Sequence, residues 1–389
     1  MNLIGEHTDY NDGFVLPVAI DRWAVVAADL AGGADSSGNV PKGEQSTWVS
    51  LDLDETHTFD MRKALASAPL DWANYLLGVA AVFEENAVPL PNLDLILTSS
   101  VPIGAGLSSS AAISVATATV FERAAGVVLE PLTKARWCQQ AEHRFAGVPC
   151  GLMDPMIASC AEPDHAALID CRDGRVRLVP MPRPDEAILL IANTHVRHAL
   201  NTNEYATRRA ECETAVEFLR HHGHPIGSLR DASVAILESV RATMHPVLYR
   251  RAMHVVTENA RTEAAVDALA HGRWAEMGRL MFGSHQSLRD LYEVSCPELD
   301  GLVELAAEYS EEATGRDRGV FGARMTGAGF GGCIVALVRP DAFESVSRHM
   351  LEGFRARFDR PPTIFATAAV GGAVSIETGP SAPWFPPAS

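Results

Sequence analysis

The chain has 389 residues, 47% hydrophobic and 21% charged, ordinary proportions for a globular protein long enough for two domains. Its formal net charge of −17 argues against a nucleic-acid or anionic-membrane partner, because no basic patch survives such an excess of carboxylates. No apolar run reaches the roughly 18 residues of a membrane helix, the N-terminus lacks a basic-then-apolar leader, and seven cysteines without CxxC spacing suit a reducing compartment, so a cytoplasmic location is expected.

In chain order, residues 14–20 and 23–29 read as strands, and the Gly-, Ser-, Asp- and Pro-rich stretch 32–47 as a loop. A strand at Leu93–Thr98 runs into a turn at Pro102–Gly106, followed by an Ala-rich helix opened by serines over Ser109–Ala125. A second helix is predicted over Leu132–Phe145, strands at 166–170 and 187–193, and a long helical region over 203–310. A strand at 332–338, a helix at 341–357 and a strand at 363–371 close the pattern, before a proline-rich tail. Strands mixed with long helices predict an α+β fold of two lobes. The interruption MPRPDE suggests a division into 1–185 and 186–375, with 376–389 as a flexible tail.

Four segments carry candidate chemistry. In Pro102-Ile-Gly-Ala-Gly-Leu-Ser-Ser-Ser-Ala-Ala112, glycines allow close backbone approach and the serines fall where a helix N-terminus presents free N–H groups to an anion. A phosphate fits there, although a plain turn and helix cap explains the segment equally well; no Gly-Lys-Ser/Thr follows, so it is not a Walker A loop. Met325-Thr-Gly-Ala-Gly-Phe-Gly-Gly-Cys333 precedes a strand, the wrong order for a dinucleotide fingerprint, and reads more simply as a glycine hairpin or a backbone packed on another backbone. At the N-terminus, Glu6, His7 and Asp9 crowd polar groups of the kind that read sugar hydroxyls into four positions, although taken alone the segment reads more simply as a solvated loop. In Cys150-Gly-Leu-Met-Asp154 a carboxylate stands among apolar neighbours, and Glu142 lies on the helix before it; an acid with loop serines offers hard oxygen ligands for Mg²⁺, although taken alone Glu142 reads as a helix-surface residue.

Together these segments resemble the galactokinase family, in the GHMP kinase superfamily that includes homoserine, mevalonate and phosphomevalonate kinases. NLIGEHTDYNDGFVLP at 2–17 is similar to the family's sugar-binding signature, and QQAEHRFAGVPCGLMDP at 139–155 to its stretch with the metal carboxylate and catalytic aspartate. VPIGAGLSSSAA at 101–112 and TGAGFGGC at 326–333 resemble superfamily motifs, and VRHALNTNEYATRRAEC at 196–212 is galactokinase-like. The resemblance runs from residue 2 to about 371. It implies a two-lobed GHMP kinase fold, with an N-terminal lobe like ribosomal protein S5 domain 2, a ferredoxin-like C-terminal lobe, and the site between them.

The roles it implies are specific. Asp154 would be catalytic, as a general base or as an ionised group that orients the nucleophile. Glu6, His7, Asp9, Gly151 and Tyr205 would bind galactose. Gly104, Ala105, Gly106, Leu107, Ser108, Ser109, Ser110 and Ala111 would bind ATP, with Trp72 near the adenine or, alternatively, a core aromatic. Ser110 and Glu142 would hold Mg²⁺. The implied activity is ATP-dependent phosphorylation of galactose at its anomeric hydroxyl, by a monomer. A sister kinase for N-acetylgalactosamine or arabinose is the nearest rival, and a non-catalytic galactose and ATP sensor the rival from another class; a substrate panel and a turnover assay separate them. The family pattern upstream of the signature is Pro-Gly-Arg-Val. Met1 stands in the valine's place and the arginine has no counterpart, so the native protein is expected to begin further upstream; a genuine short form is the other reading.

Overall fold

The computed structural model describes residues 1–31, 45–61, 72–147, 150–196, 201–310 and 319–376. Most of the predicted loop 32–47 and all of the predicted tail beyond Ile376 lie outside the described residues. Strands and helices are mixed along the chain, as an α+β fold requires. The first predicted strand is two short ones, β1 (Phe14–Val15) and β2 (Ala19–Ile20), on either side of Pro17, which cannot donate to a ladder.

The first layer is a sheet of β3 (Ala24–Leu30), β4 (Ser46–Ser50), β5 (Glu55–Phe59) and β6 (Leu93–Ser99), in the order β3-β6-β4-β5. Only the β4–β6 pair is parallel. Helices α1 (Ala73–Glu85), α2 (Ser109–Ala125) and α3 (Pro131–Ala141) cover one face, around a core that includes Trp48, Leu76, Phe83, Leu95 and Phe121. The short helix α4 (Met153–Cys160) leads into β7 (His165–Asp170) and β8 (Arg175–Pro180), which form a sheet with β1 in the order β1-β7-β8.

The second large sheet is antiparallel throughout. It joins β9 (Ile188–Asn193), β10 (Val320–Thr326), β11 (Cys333–Val338) and β12 (Thr363–Thr367) in the order β10-β11-β9-β12. Helices α5 (Asn201–His221), α6 (Val234–Val240), α7 (Pro246–Ala270), α8 (Trp274–Ser287), α9 (Pro297–Ala307) and α10 (Phe343–Phe358) accompany it, and β13 (Ala369–Val370) returns to pair with β2. The run CIVALV of β11 shows no polar alternation because both faces are covered. Ile334, Ala336 and Val338 enter one core, while Cys333, Val335 and Leu337 enter a second, which also holds Leu3, Ile4 and Leu16. That second core seats the N-terminal segment against the β10–β11 side of the protein. All seven cysteines are free, and among the described residues no helix is long and apolar enough to cross a membrane.

Candidate active site

The turn after β6 delivers the chain into α2 through Gly104 and Gly106, at φ +70° and +71°, and Ser108, left-handed at +62°. No side chain caps α2, so its first-turn N–H groups at Ser109, Ser110 and Ala111 are left for an anion. The second glycine motif is the hairpin between β10 and β11, and it packs on this loop, backbone against backbone. A Cβ at Gly327 would stand 2.7 Å from the Gly106 carbonyl oxygen, and one at Gly332 the same distance from that of Ala105. The two glycine motifs are therefore one double layer.

Beside the loop, α3 widens into a π-turn at Glu142–Ala146, and this turns Glu142 inward to 4% exposure. Its carboxyl is pushed up to about 7 by burial, against a hydrogen bond from Ser110, with the charge of Asp154 adding to the rise. The structure thus brings Ser110, Glu142 and Asp154 together. Asp154 lies in the first turn of α4, where the helix dipole favours an anion. Ser110 and Glu142 give a hydroxyl and a carboxylate. Among the described residues no group of three His, Cys, Asp or Glu could enclose a metal. Such a sparse hard-oxygen set fits Mg²⁺, which keeps waters and leans on substrate phosphates.

Asp9, whose carboxyl also feels the charge of Asp154, stands in a 3₁₀ turn over Asp9–Asn11. Burial first, then the charges of Asp154 and Glu6, push its carboxyl up to about 7. Gly151 faces it so closely that a Cβ there would fall on the Asp9 carboxylate. Tyr205 packs against His7 and Tyr10, with ring centroids 5.7 and 5.3 Å apart. Asp9, Tyr10, Cys150 and Gly151 line a cavity of about 250 Å³, whose outer wall carries Arg136, Gln139, His143 and Arg209. Asp154 and Ser108 line a second of about 100 Å³.

Glu6 and His7 sit deeper than the sequence suggested. Glu6 is 2% exposed, and its Oε1 accepts from the Gly327 N–H at 2.7 Å and faces Arg324 Nη1 at 3.4 Å. Burial raises its carboxyl, while Arg324 and the Gly327 N–H oppose the rise. His7 is held neutral, its pKa lowered to about 3 by burial and by His254. Its Nε2 lies 3.1 Å from the Ala328 carbonyl, which can only accept, so Nε2 carries the proton and Nδ1 is the acceptor. That fixes the direction of a chain: the Cys212 thiol donates to the Tyr292 hydroxyl at 3.1 Å, Tyr292 to Tyr10 at 2.7 Å, and Tyr10 to His7 Nδ1 at 2.7 Å. Behind it, the buried Glu258 accepts from the Gly5 N–H, Ser284 and Arg261, and Arg324 donates to Ser284.

Sequence reasoning named Glu6 and His7 but not their partners Tyr10, Cys212, Tyr292 and Arg324. Only Tyr10 gave a local signal, as the residue after Asp9 in the same polar segment. Trp72 stands apart: it is 8% exposed, packs in the α1 core, lines neither cavity, and donates its indole N–H to Glu55.

Family profiles match the chain in three places: GHMP kinases N terminal domain over 74–162, GHMP kinases C terminal over 265–356, and the galactokinase galactose-binding signature over 1–30. The galactokinase of Canis lupus familiaris is 42% identical over 378 residues, covering 96% of this chain and 89% of that protein. That of Chloroflexus aurantiacus is 42% identical over 373 residues, covering 95% and 90%. The crystal structure of Lactococcus lactis galactokinase complexed with galactose superposes with a TM-score of 0.87 at 28% identity, covering 96% of this chain and 92% of that one. The Methanococcus jannaschii mevalonate kinase shares the fold, with a TM-score of 0.63 at 17% identity over 95% of this chain and 96% of its own.

Proposed function

Because the chain belongs to the galactokinase family of GHMP kinases, we propose that it transfers the γ-phosphoryl group of ATP to the anomeric hydroxyl of galactose. One observation carries the assignment of roles: the charge of Asp154 acts on two acidic groups of different character, Asp9, which lies against Gly151, and Glu142, which accepts a hydrogen bond from Ser110. Phosphoryl transfer needs alignment and charge neutralisation more than covalent chemistry, and the site is built for that.

The N–H groups opening α2 hold the phosphates, with Gly104 to Ala111 forming the bed. Ser110 and Glu142 would hold Mg²⁺, which when bound would offset phosphate charge. Asp9, Gly151 and Tyr205 form the sugar side; Glu6 and His7 lie behind them, and the polar atoms noted above are engaged by the protein. Asp154 aligns the anomeric hydroxyl and accepts its proton as the new bond to phosphorus forms and ADP leaves. The adenine role of Trp72 rests on the resemblance alone. A cytoplasmic monomer with its lobes divided near 185 completes the proposal.

The test is ATP consumption with galactose set against glucose, N-acetylgalactosamine and arabinose. A site that hydrogen-bonds a particular hydroxyl discriminates by about 10⁴ in kcat/KM against a sugar that cannot match it. Comparable kcat/KM for glucose and galactose would sink the assignment.

A further inference from the structure

We infer that Glu6 and His7 are positioning residues for the nucleotide: they latch the glycine hairpin that backs the phosphate loop. The inference rests on the kinase reading above. Adjacent residues of the N-terminal segment grip adjacent residues of the hairpin. Glu6 Oε1 accepts the Gly327 N–H at 2.7 Å, and His7 Nε2–H donates to the Ala328 carbonyl, 3.1 Å away. At Gly327 and Gly332 the hairpin lies directly on the main chain of Gly106 and Ala105, so the hairpin's position sets where the phosphate loop can lie. At these two points a side chain on the glycine would strike the main chain of Ala105 or Gly106.

The grip is itself fixed. Arg324 and Thr326 meet the same Glu6 oxygen, at 3.4 and 3.2 Å. Tyr10, which receives the Tyr292 hydroxyl, holds the His7 ring in the tautomer that donates to Ala328. The His254 ring donates to the Glu6 carbonyl at 3.1 Å, pinning the main chain between the two grips. A segment that resembles a sugar signature therefore acts on the nucleotide half of the site as well.

The experiment is calorimetric titration of a non-hydrolysable ATP analogue with Mg²⁺ in the absence of sugar, alongside galactose titration of the same proteins. Loss of one buried hydrogen-bond partner is expected to weaken nucleotide binding about tenfold in Glu6→Ala and in His7→Phe. Glu6→Gln keeps an acceptor for the Gly327 N–H and should stay within about threefold of the native affinity, a rescue that a general loss of stability would not give. Tyr10→Phe, which removes only one hydroxyl, should weaken nucleotide binding by about threefold, and decides the matter if the harsher variants do not fold. Unchanged nucleotide affinity in the folded variants, with only galactose binding weakened, overturns the latch. A native protein that binds the analogue but does not phosphorylate galactose would instead sink the proposed activity and leave the latch standing.

Discussion

Two groups of buried carboxyls lie within one protein and are treated in opposite ways. Glu258 is surrounded by donors; although burial alone would raise its pKa, Arg261 and His254 hold it down at about 2. Asp9 and Glu142 are also desolvated, but both are pushed up to about 7, and their named opposing contacts are hydrogen bonds. The compensated acid fastens the N-terminal segment to α7 and α8. The uncompensated acids face the cavity and the phosphate loop. Local rules of charge satisfaction are broken where a ligand is to supply what is missing.

The sharpest way to break this comparison is Asp154→Asn, a nearly isosteric change at the carboxylate whose charge acts on both uncompensated acids. Turnover should fall by roughly 10² to 10⁴, the range for a positioned acid–base group, with little change in melting temperature. Near-native turnover in the folded variant would remove Asp154 from the mechanism. Glu258→Gln should do the reverse. It leaves Arg261 without its carboxylate and should cost roughly 3–5 kcal/mol of stability by urea unfolding. An unaltered unfolding midpoint would show that the two groups of acids do not differ as described.

Glu142→Ala should raise the Mg²⁺ needed for half-maximal rate by roughly ten- to a hundredfold, the scale for groups that support a metal, and leave galactose affinity intact. If galactose affinity fell and the metal requirement did not move, Glu142 would belong to the sugar side. The smallest effect is on pH dependence. Asp9 rises from an ordinary 3.8 to about 7 on folding, so its contribution is complete below about pH 4 and is lost as pH climbs toward 7. Glu258 has the opposite sign, contributing above its ordinary 4.5 and losing that as pH falls toward 2. Asp9→Asn should therefore flatten the decline in melting temperature between pH 4 and 7 in protein free of sugar and nucleotide. An unchanged slope would assign the decline to other groups.

The sequence was most readable where structure is local. α2 was placed at its observed ends, because an Ala-rich run opens at serines and stops at Gly126, left-handed at φ +68°. The strands β9 and β11 were legible as short apolar runs. The reading missed β4 and β5, and α1, whose buried side chains lie on several faces and leave no stripe. It missed α4 as well, where Pro155 sits in the first turn, the one place in a helix that accepts it. At the site the residue types were legible, since Glu6, His7 and Asp9 are polar in a setting that needs a reason. Their depth was not. Glu6 is buried because Arg324 and Gly327 meet it from the other end of the chain, and no local pattern carries that register.

The double layer of glycine loops has a consequence for change over time and for redesign. Where glycine meets main chain, a side chain added at Gly106, Gly327 or Gly332 would strike the other loop, so these contact points cannot be retuned by substitution without displacing it. Selection, natural or in the laboratory, meets the two stretches as a single inherited unit although most of the chain separates them. Diversity must enter elsewhere, and the cavity wall of Arg136, Gln139, His143 and Arg209 is where side chains with room to differ line the proposed sugar cavity. A library aimed at new sugars should spend its variation there and leave the glycines alone.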